Sequence, residues 1–133
     1  MGDWSEQAKQ IGAITLFVED VAASKEFYEE IFGLPVHFED QNSAVFRFGG
    51  TLVNLLDVGA AHQLIEPATV ADRSAGSRFQ FTIGVGNVDA VCEELARRGV
   101  TLLSGPKDRP WGIRTASFVD PGVHIWEVAQ DLS

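Results

Sequence analysis

Glu127 is the side chain in this sequence best placed to do chemistry. It lies in the run Arg109 to Val128, RPWGIRTASFVDPGVHIWEV, which reads as two strands joined at Asp120-Pro121-Gly122. Pro fixes φ and Gly tolerates positive φ, so a tight reversal is expected there. Alternation sorts the hairpin into two faces. Ala116, Phe118, Trp126 and Val128 form an apolar face suited to a covering helix, while Thr115, Ser117, Ile125 and Glu127 form the other. A carboxylate in mid-strand is costly to bury unless it has partners. With them it can orient a polar ligand or take a proton as a general base. The same pattern also describes a wet face with a solvated Glu127, and alternation alone leaves both readings open. No nucleophile–base pair accompanies it. The single cysteine, Cys92, falls in a helical apolar pattern as an inert thiol. His124 is an odd step from Glu127, His37 belongs to a second strand, and His62 reaches in only if its connector folds over.

The elements that position these residues come as one unit written twice. Ile11 to Val18 reads as a strand with Ile14, Leu16 and Val18 on one face. Asp20 caps a helix over 21–32, whose apolar side is Val21, Ser24, Phe27, Tyr28 and Ile31. Gly33 ends it and Pro35 keeps it ended. Short strands follow at 36–39, 44–48 and 52–56, the last two joined at Gly49-Gly50. Residues 57–78 are small and polar, a connector that is either a linker or a lid. Then a strand at 79–85, Asn87 as cap, and a helix over 88–98 with Val88, Val91, Cys92 and Leu95 inward repeat the opening, stopped by Gly99. Strands at 100–103, 113–119 and 123–128 complete the second unit. Asp20 aligns with Asn87, and Val21 with Val88, so an internal βαβββ repeat organises the chain. A helix covers one face of each sheet; the other face must curl around a cavity or meet a second copy.

Composition bounds the function. The 133 residues suit one domain with a real core, and 45% hydrophobic with 22% charged residues is ordinary for a globular protein. One cysteine excludes an internal disulfide and a cysteine-based structural zinc site. Nineteen acidic against ten basic residues give a net charge of −9, which argues against nucleic acid and anionic membranes and permits a cationic ligand. Apolar runs are too short to span a bilayer and the start, MGDWSEQAKQ, is no signal peptide, so a cytoplasmic protein is expected.

The segments Phe17 to Val21 (FVEDV), Phe27 to Leu34 (FYEEIFGL) and the WGIR…FVDPGVHIWEV tail resemble the vicinal oxygen chelate superfamily. That superfamily includes glyoxalase I, extradiol dioxygenases, fosfomycin-resistance transferases and bleomycin-resistance proteins. The resemblance runs from Ile11 to Gln130. It implies an α+β fold in which two βαβββ modules, about 11–57 and 79–130 with a connector at 58–78, form an eight-stranded, incompletely closed barrel with outer helices. It implies a single domain over 1–133, in proteins that often dimerise or swap modules between chains. It also implies metal-ligand positions on the first and fourth strands of each module, which here are Ala13, Asn54, Gln80 and Glu127. Ala13 has no donor atom, Asn54 and Gln80 offer neutral amides, and only Glu127 is a strong ligand. No cofactor is therefore expected, and any divalent metal would be weakly held.

Within that frame, strand parity gives the residues facing the barrel interior. They are Thr15 and Phe17, Arg47 from the third strand if Phe46 and Phe48 face the helix, and Asn54. The second module adds Gln80, Thr82, Thr115, Ser117 and Glu127, and Trp111 stands ready to stack on a planar ligand. Parity sets Arg114 on the helix side, near a strand end where twist could bring it back. This inventory suits a metal-free, homodimeric binding protein of the bleomycin-resistance kind, taking a polar, aromatic or cationic small molecule. The alternative is a lyase-, isomerase- or dioxygenase-like enzyme using Glu127 as a base or as a ligand of an atypical metal site.

Overall fold

The computed structural model describes Gln7 and residues 10–133. Eight strands form two four-stranded sheets, and each sheet draws all its strands from one half of the chain. The fold is α+β, as the sequence implies. Two compact units divide between Val70 and Ala71, inside the connector.

Module one comprises β1 (Ala13–Val18), α1 (Val21–Ile31), β2 (Phe38–Glu39), β3 (Ser43–Phe48) and β4 (Thr51–Asp57). Its strand order is β1-β4-β3-β2, with β1 parallel to β4 and the other pairs antiparallel. Asp20 caps α1 as read, its carboxylate accepting from the Ala23 N–H at 3.0 Å. Gly33 ends the helix at φ 68°, a left-handed conformation that disfavours a Cβ. The buried face of α1 sets Tyr28 among aromatics, its ring 5.0 Å from Phe32 and 5.3 Å from Phe46. Leu16, Val18, Ala44, Val53 and Leu55 complete this core. Tyr28 and Phe46 are fully enclosed, and each such ring contributes about 1.5–3 kcal/mol through apolar burial.

Module two repeats the plan with β5 (Gln80–Gly84), β6 (Ser104–Asp108), β7 (Ile113–Val119) and β8 (Ile125–Asp131) in the order β5-β8-β7-β6. Its helix, Val88–Arg97, is numbered α3 here because a short α2 (His62–Ile65) precedes it in the connector. Asn87 caps α3 by accepting from the Ala90 N–H at 3.0 Å, and Gln130 on β8 accepts from the Val88 N–H at 2.9 Å. Val88 and Leu95 of α3 are buried, as are Ala116, Phe118, Trp126 and Val128 on the helix face of the sheet. The two-face assignment of the last hairpin therefore holds.

Four sequence expectations shift. The strand expected at 100–103 lies instead at Ser104–Asp108. Gly105 and Pro106 make that segment read as a break, yet an edge strand tolerates proline, and the register against β7 shifts between Ser104 and Lys107. β8 begins at Ile125 rather than Val123, because Val123 adopts φ 67° and the turn runs on to His124. β2 is confined to Phe38–Glu39. The connector is partly ordered: the Asp57 and Asp72 carboxylates accept from the Gly59 and Ser74 N–H groups at 2.6 and 3.1 Å, capping short helical turns on either side of α2.

Candidate functional site

The face of module two opposite α3 carries a polar row that crosses all four strands. Thr82 on β5 is level with Glu127 on β8, Glu127 with Ser117 on β7, and Ser117 with Ser104 on β6. Paired residues point to the same side of a sheet, so these side chains share one face. The Thr82 hydroxyl donates to Glu127 Oε1 at 2.9 Å. Thr115, two residues back along β7, is 1% exposed, Ser117 is 8% exposed, and Glu127 is half-buried. The simple wet face is thus excluded for Thr115 and Ser117. Gln80 lies on the same face, level with Ile125, and is exposed. Trp111 sits on the β6–β7 turn and is 69% exposed.

Sequence reasoning missed Arg109. Its Nε–H donates to Thr115 Oγ1 at 2.8 Å, and its side chain is only partly exposed. The Arg109 N–H donates to the Ile113 carbonyl at 2.7 Å, which places Arg109 opposite Ile113 across the turn. Ile113 has the parity of Thr115 and Ser117. Carrying alternation back through the Pro110–Gly112 turn would have found this arginine, had β6 been placed next to it.

In module one, Thr15 and Val45 are level with Asn54, whose amide nitrogen reaches Thr15 Oγ1 at a long 3.5 Å. Asn54 Oδ1 is buried and has no hydrogen-bond partner among the described residues. Phe17 is level with Leu56 and half-buried. Arg47 is level with Leu52 and exposed, on the face opposite Phe46 and Phe48 as parity requires. Phe48 packs on Phe32, their ring centres 5.2 Å apart.

Arg114 stays on the helix side, 3.0 Å from Asp89 of α3 and 2.9 Å from Asp108. Twist does not bring it back. His124 is a clamp for the turn: its Nδ1 lies 2.9 Å from Asp120 Oδ1, and Trp126 Nε1–H donates to Asp120 Oδ2 at 3.2 Å. His37 is exposed, and His62 Nδ1 lies 3.1 Å from the Gly59 carbonyl. Burial, and then the nearby Asp89 charge, raise the Cys92 thiol above its usual pKa, which keeps it protonated.

The four superfamily metal positions do not fit a tight site. Ala13 supplies no donor and Asn54 a single neutral amide. Gln80 supplies another, and Glu127 already accepts from Thr82. Among the described residues no cluster of three or more His, Cys, Asp or Glu side chains gathers to hold an ion. A catalytic site normally needs three protein ligands.

The repeated modules belong to a defined class. The sequence matches the family model of the Glyoxalase/Bleomycin resistance protein/Dioxygenase superfamily over residues 10–128, and the chain belongs to that superfamily. It is 31% identical over 123 residues to the uncharacterized protein YraH of Bacillus subtilis (strain 168), covering 90% of this chain and 96% of that one. A Nocardioides glyoxalase/bleomycin resistance protein/dioxygenase shares the fold with a TM-score of 0.84 at 23% identity, over 98% of this chain and 91% of that one. A glyoxalase-related enzyme from Fulvimarina pelagi matches with a TM-score of 0.78 at 25% identity, over 92% and 88% of the two chains. Superfamily membership fixes the scaffold; the reaction or ligand has to be argued from the side chains. No helix among the described residues is long and apolar enough to cross a membrane.

Proposed function

We propose that this chain is a small-molecule-binding protein of its superfamily that works without a resident metal ion. The ligand lies on the face of module two that carries Thr82, Glu127, Ser117 and Thr115. One observation supports this reading most: the hydroxyl-and-carboxylate row from Thr82 to Ser104, with Glu127 oriented by the Thr82 hydroxyl. Among the described residues only Thr82 bonds the carboxylate, through Oε1, which leaves Oε2 to accept from a ligand N–H or O–H. Gln80 and Trp111 extend the polar and aromatic contacts within the same module. Thr15, Phe17, Arg47 and Asn54 form the matching face of module one. The protein acts in the cytoplasm as a homodimer; exposed apolar side chains such as Phe38 and Leu64, 57% and 66% accessible, suit a contact surface.

A second reading makes Glu127 a general base. The Thr82 bond that fixes its orientation favours it, as does the likeness to a glyoxalase-related enzyme. Metal analysis of the untreated protein, together with Glu127→Gln, tests the first reading. Substoichiometric metal is expected, with folding intact in the variant. Binding of benzylamine, a ring with a cationic donor, should weaken about tenfold or more, the loss of a hydrogen bond to a charged group. Stoichiometric metal with Glu127 among its ligands would overturn the metal-free reading.

A further inference from the structure

Three of the seven arginines in this acidic chain pair with carboxylates. Arg97 and Arg98 pair with Glu94, and Arg114 bridges Asp89 and Asp108. Arg109 differs. It is only partly exposed, and its bonded partner is the hydroxyl of Thr115, itself 1% exposed, in a chain with 19 carboxylate side chains. Its backbone is fixed on both sides, donating to the Ile113 carbonyl at 2.7 Å and accepting from the Gly112 N–H at 3.1 Å. The turn is tied in addition to the end of β8, where the Leu132 N–H donates to the Gly112 carbonyl at 3.0 Å. Using Nε on Thr115 orients the guanidinium plane and leaves the Nη1 and Nη2 donors for an acceptor pair. That fork matches a carboxylate. Lys107, level with Thr115 on β6, adds positive charge on the same face.

Resting on the binding role given above to this face, we propose that Arg109 reads a carboxylate on the ligand, with Thr115 as its positioning residue, while Glu127 takes a donor at the ligand's other end. Thr115 is level with Ala129 and Ser117 with Glu127, so Thr115 and Glu127 are diagonal neighbours. Such neighbours stand about 7–8 Å apart. No ion pair joins Arg109 to Glu127 among the described residues, so the two charges remain separate contact points. The ligand class is therefore a small amphoteric molecule, with an anionic oxygen group and an amine or hydroxyl separated by about the length of an aromatic ring. A purely cationic ligand would leave the guanidinium without a partner.

The test uses two probes, 4-(aminomethyl)benzoate and benzylamine, which differ only in the carboxylate. Calorimetry gives their affinities, and ¹⁵N NMR follows the Arg109 Nε–H and the amides of Thr82 and Glu127. The carboxylate should improve binding at least tenfold and shift the Arg109 signal. Arg109→Gln should abolish that advantage, and Arg109→Lys should restore part of it, with the ¹⁵N spectrum reporting an intact fold in both. If the carboxylate gives no advantage, or if the advantage survives in Arg109→Gln, while benzylamine still shifts Thr82 and Glu127, the present inference is wrong and the binding role stands. If neither probe perturbs Thr82 or Glu127, both are wrong.

Discussion

Removing the Asp120 carboxylate should destabilise module two. Asp120 is 4% exposed and accepts from backbone N–H groups, an imidazole and an indole. Oδ1 takes the Gly122 and His124 backbone N–H groups at 3.0 and 2.9 Å, and His124 Nδ1 at 2.9 Å; Oδ2 takes Trp126 Nε1–H at 3.2 Å. In Asp120→Ala the indole N–H loses this acceptor in a residue 3% exposed, and the imidazole loses its partner in a residue 8% exposed. Each stranded donor costs about 1–3 kcal/mol. The Gly122 N–H, less enclosed, is partly rehydrated and adds about 0.5–1 kcal/mol. The His124 backbone N–H, also buried, loses its acceptor as well, so the expected loss is at least about 3.5 kcal/mol, a large share of the roughly 5–15 kcal/mol that holds a domain folded. Asp120→Asn keeps an acceptor for the turn but directs N–H₂ against the indole N–H or the imidazole, and should fall between. Urea unfolding followed by circular dichroism measures all three, with an unchanged m-value showing that the comparison is fair. The double variant Asp120→Ala/Trp126→Phe should cost less than the sum of its parts, because it removes donor and acceptor together. A loss under about 1 kcal/mol in Asp120→Ala, or strict additivity in the double variant, would refute the assignment of this carboxylate as a buried hub.

Gly105→Ala should lower stability by about 2–4 kcal/mol, from a strained φ combined with backbone overlap. Gly105 sits at φ 86°, and an added Cβ would overlap the Thr115 carbonyl oxygen and lie 2.9 Å from Ala116 Cα; an unchanged urea midpoint would contradict this packing. Cys92 should react with iodoacetamide more slowly than a free thiol at pH 8. Its raised pKa lowers the reactive thiolate fraction at any given pH, so its rate should climb only above the ordinary thiol value of 9.0. A rate equal to that of a small thiol would show that the helix face leaves it open.

Much of this fold is written locally. Asp20 and Asn87 cap their helices through the bonds their side chains predict, and Gly33 and Gly99 end them at positive φ. Alternation assigned Phe118 and Trp126 to the helix face, where both are buried. What escaped involves bonds between residues whose spacing has no period. The start of β8 is set by the Asp120 carboxylate reaching Gly122, His124 and Trp126, and no hydropathy pattern encodes that reach. β6 was hidden because Gly105 and Pro106 signal a break, and only an edge strand beside a close-packed neighbour makes them acceptable. Arg109 followed β6 into obscurity: without the strand, its face could not be assigned. The candidate site was therefore legible in Thr82, Ser117 and Glu127, and illegible where a turn folds a cation back onto the sheet.

The sheet order has a consequence for synthesis. β1 and β5 are edge strands, and each pairs in parallel only with the last strand of its own module. Gln80 meets its partner at Ile125, so β5 leaves the ribosome well before anything exists to pair with it. Module one can close once Asp57 has emerged. In module two, α3, β6 and β7 must all appear while Phe79 and Phe81 wait uncovered beside an open edge. An unpaired edge flanked by aromatics is where a nascent chain is most exposed to wrong partners. Slowing translation across residues 80–125 would lengthen that interval, and a chain cut before β8 would lose a central strand, leaving β5 with no place in the sheet.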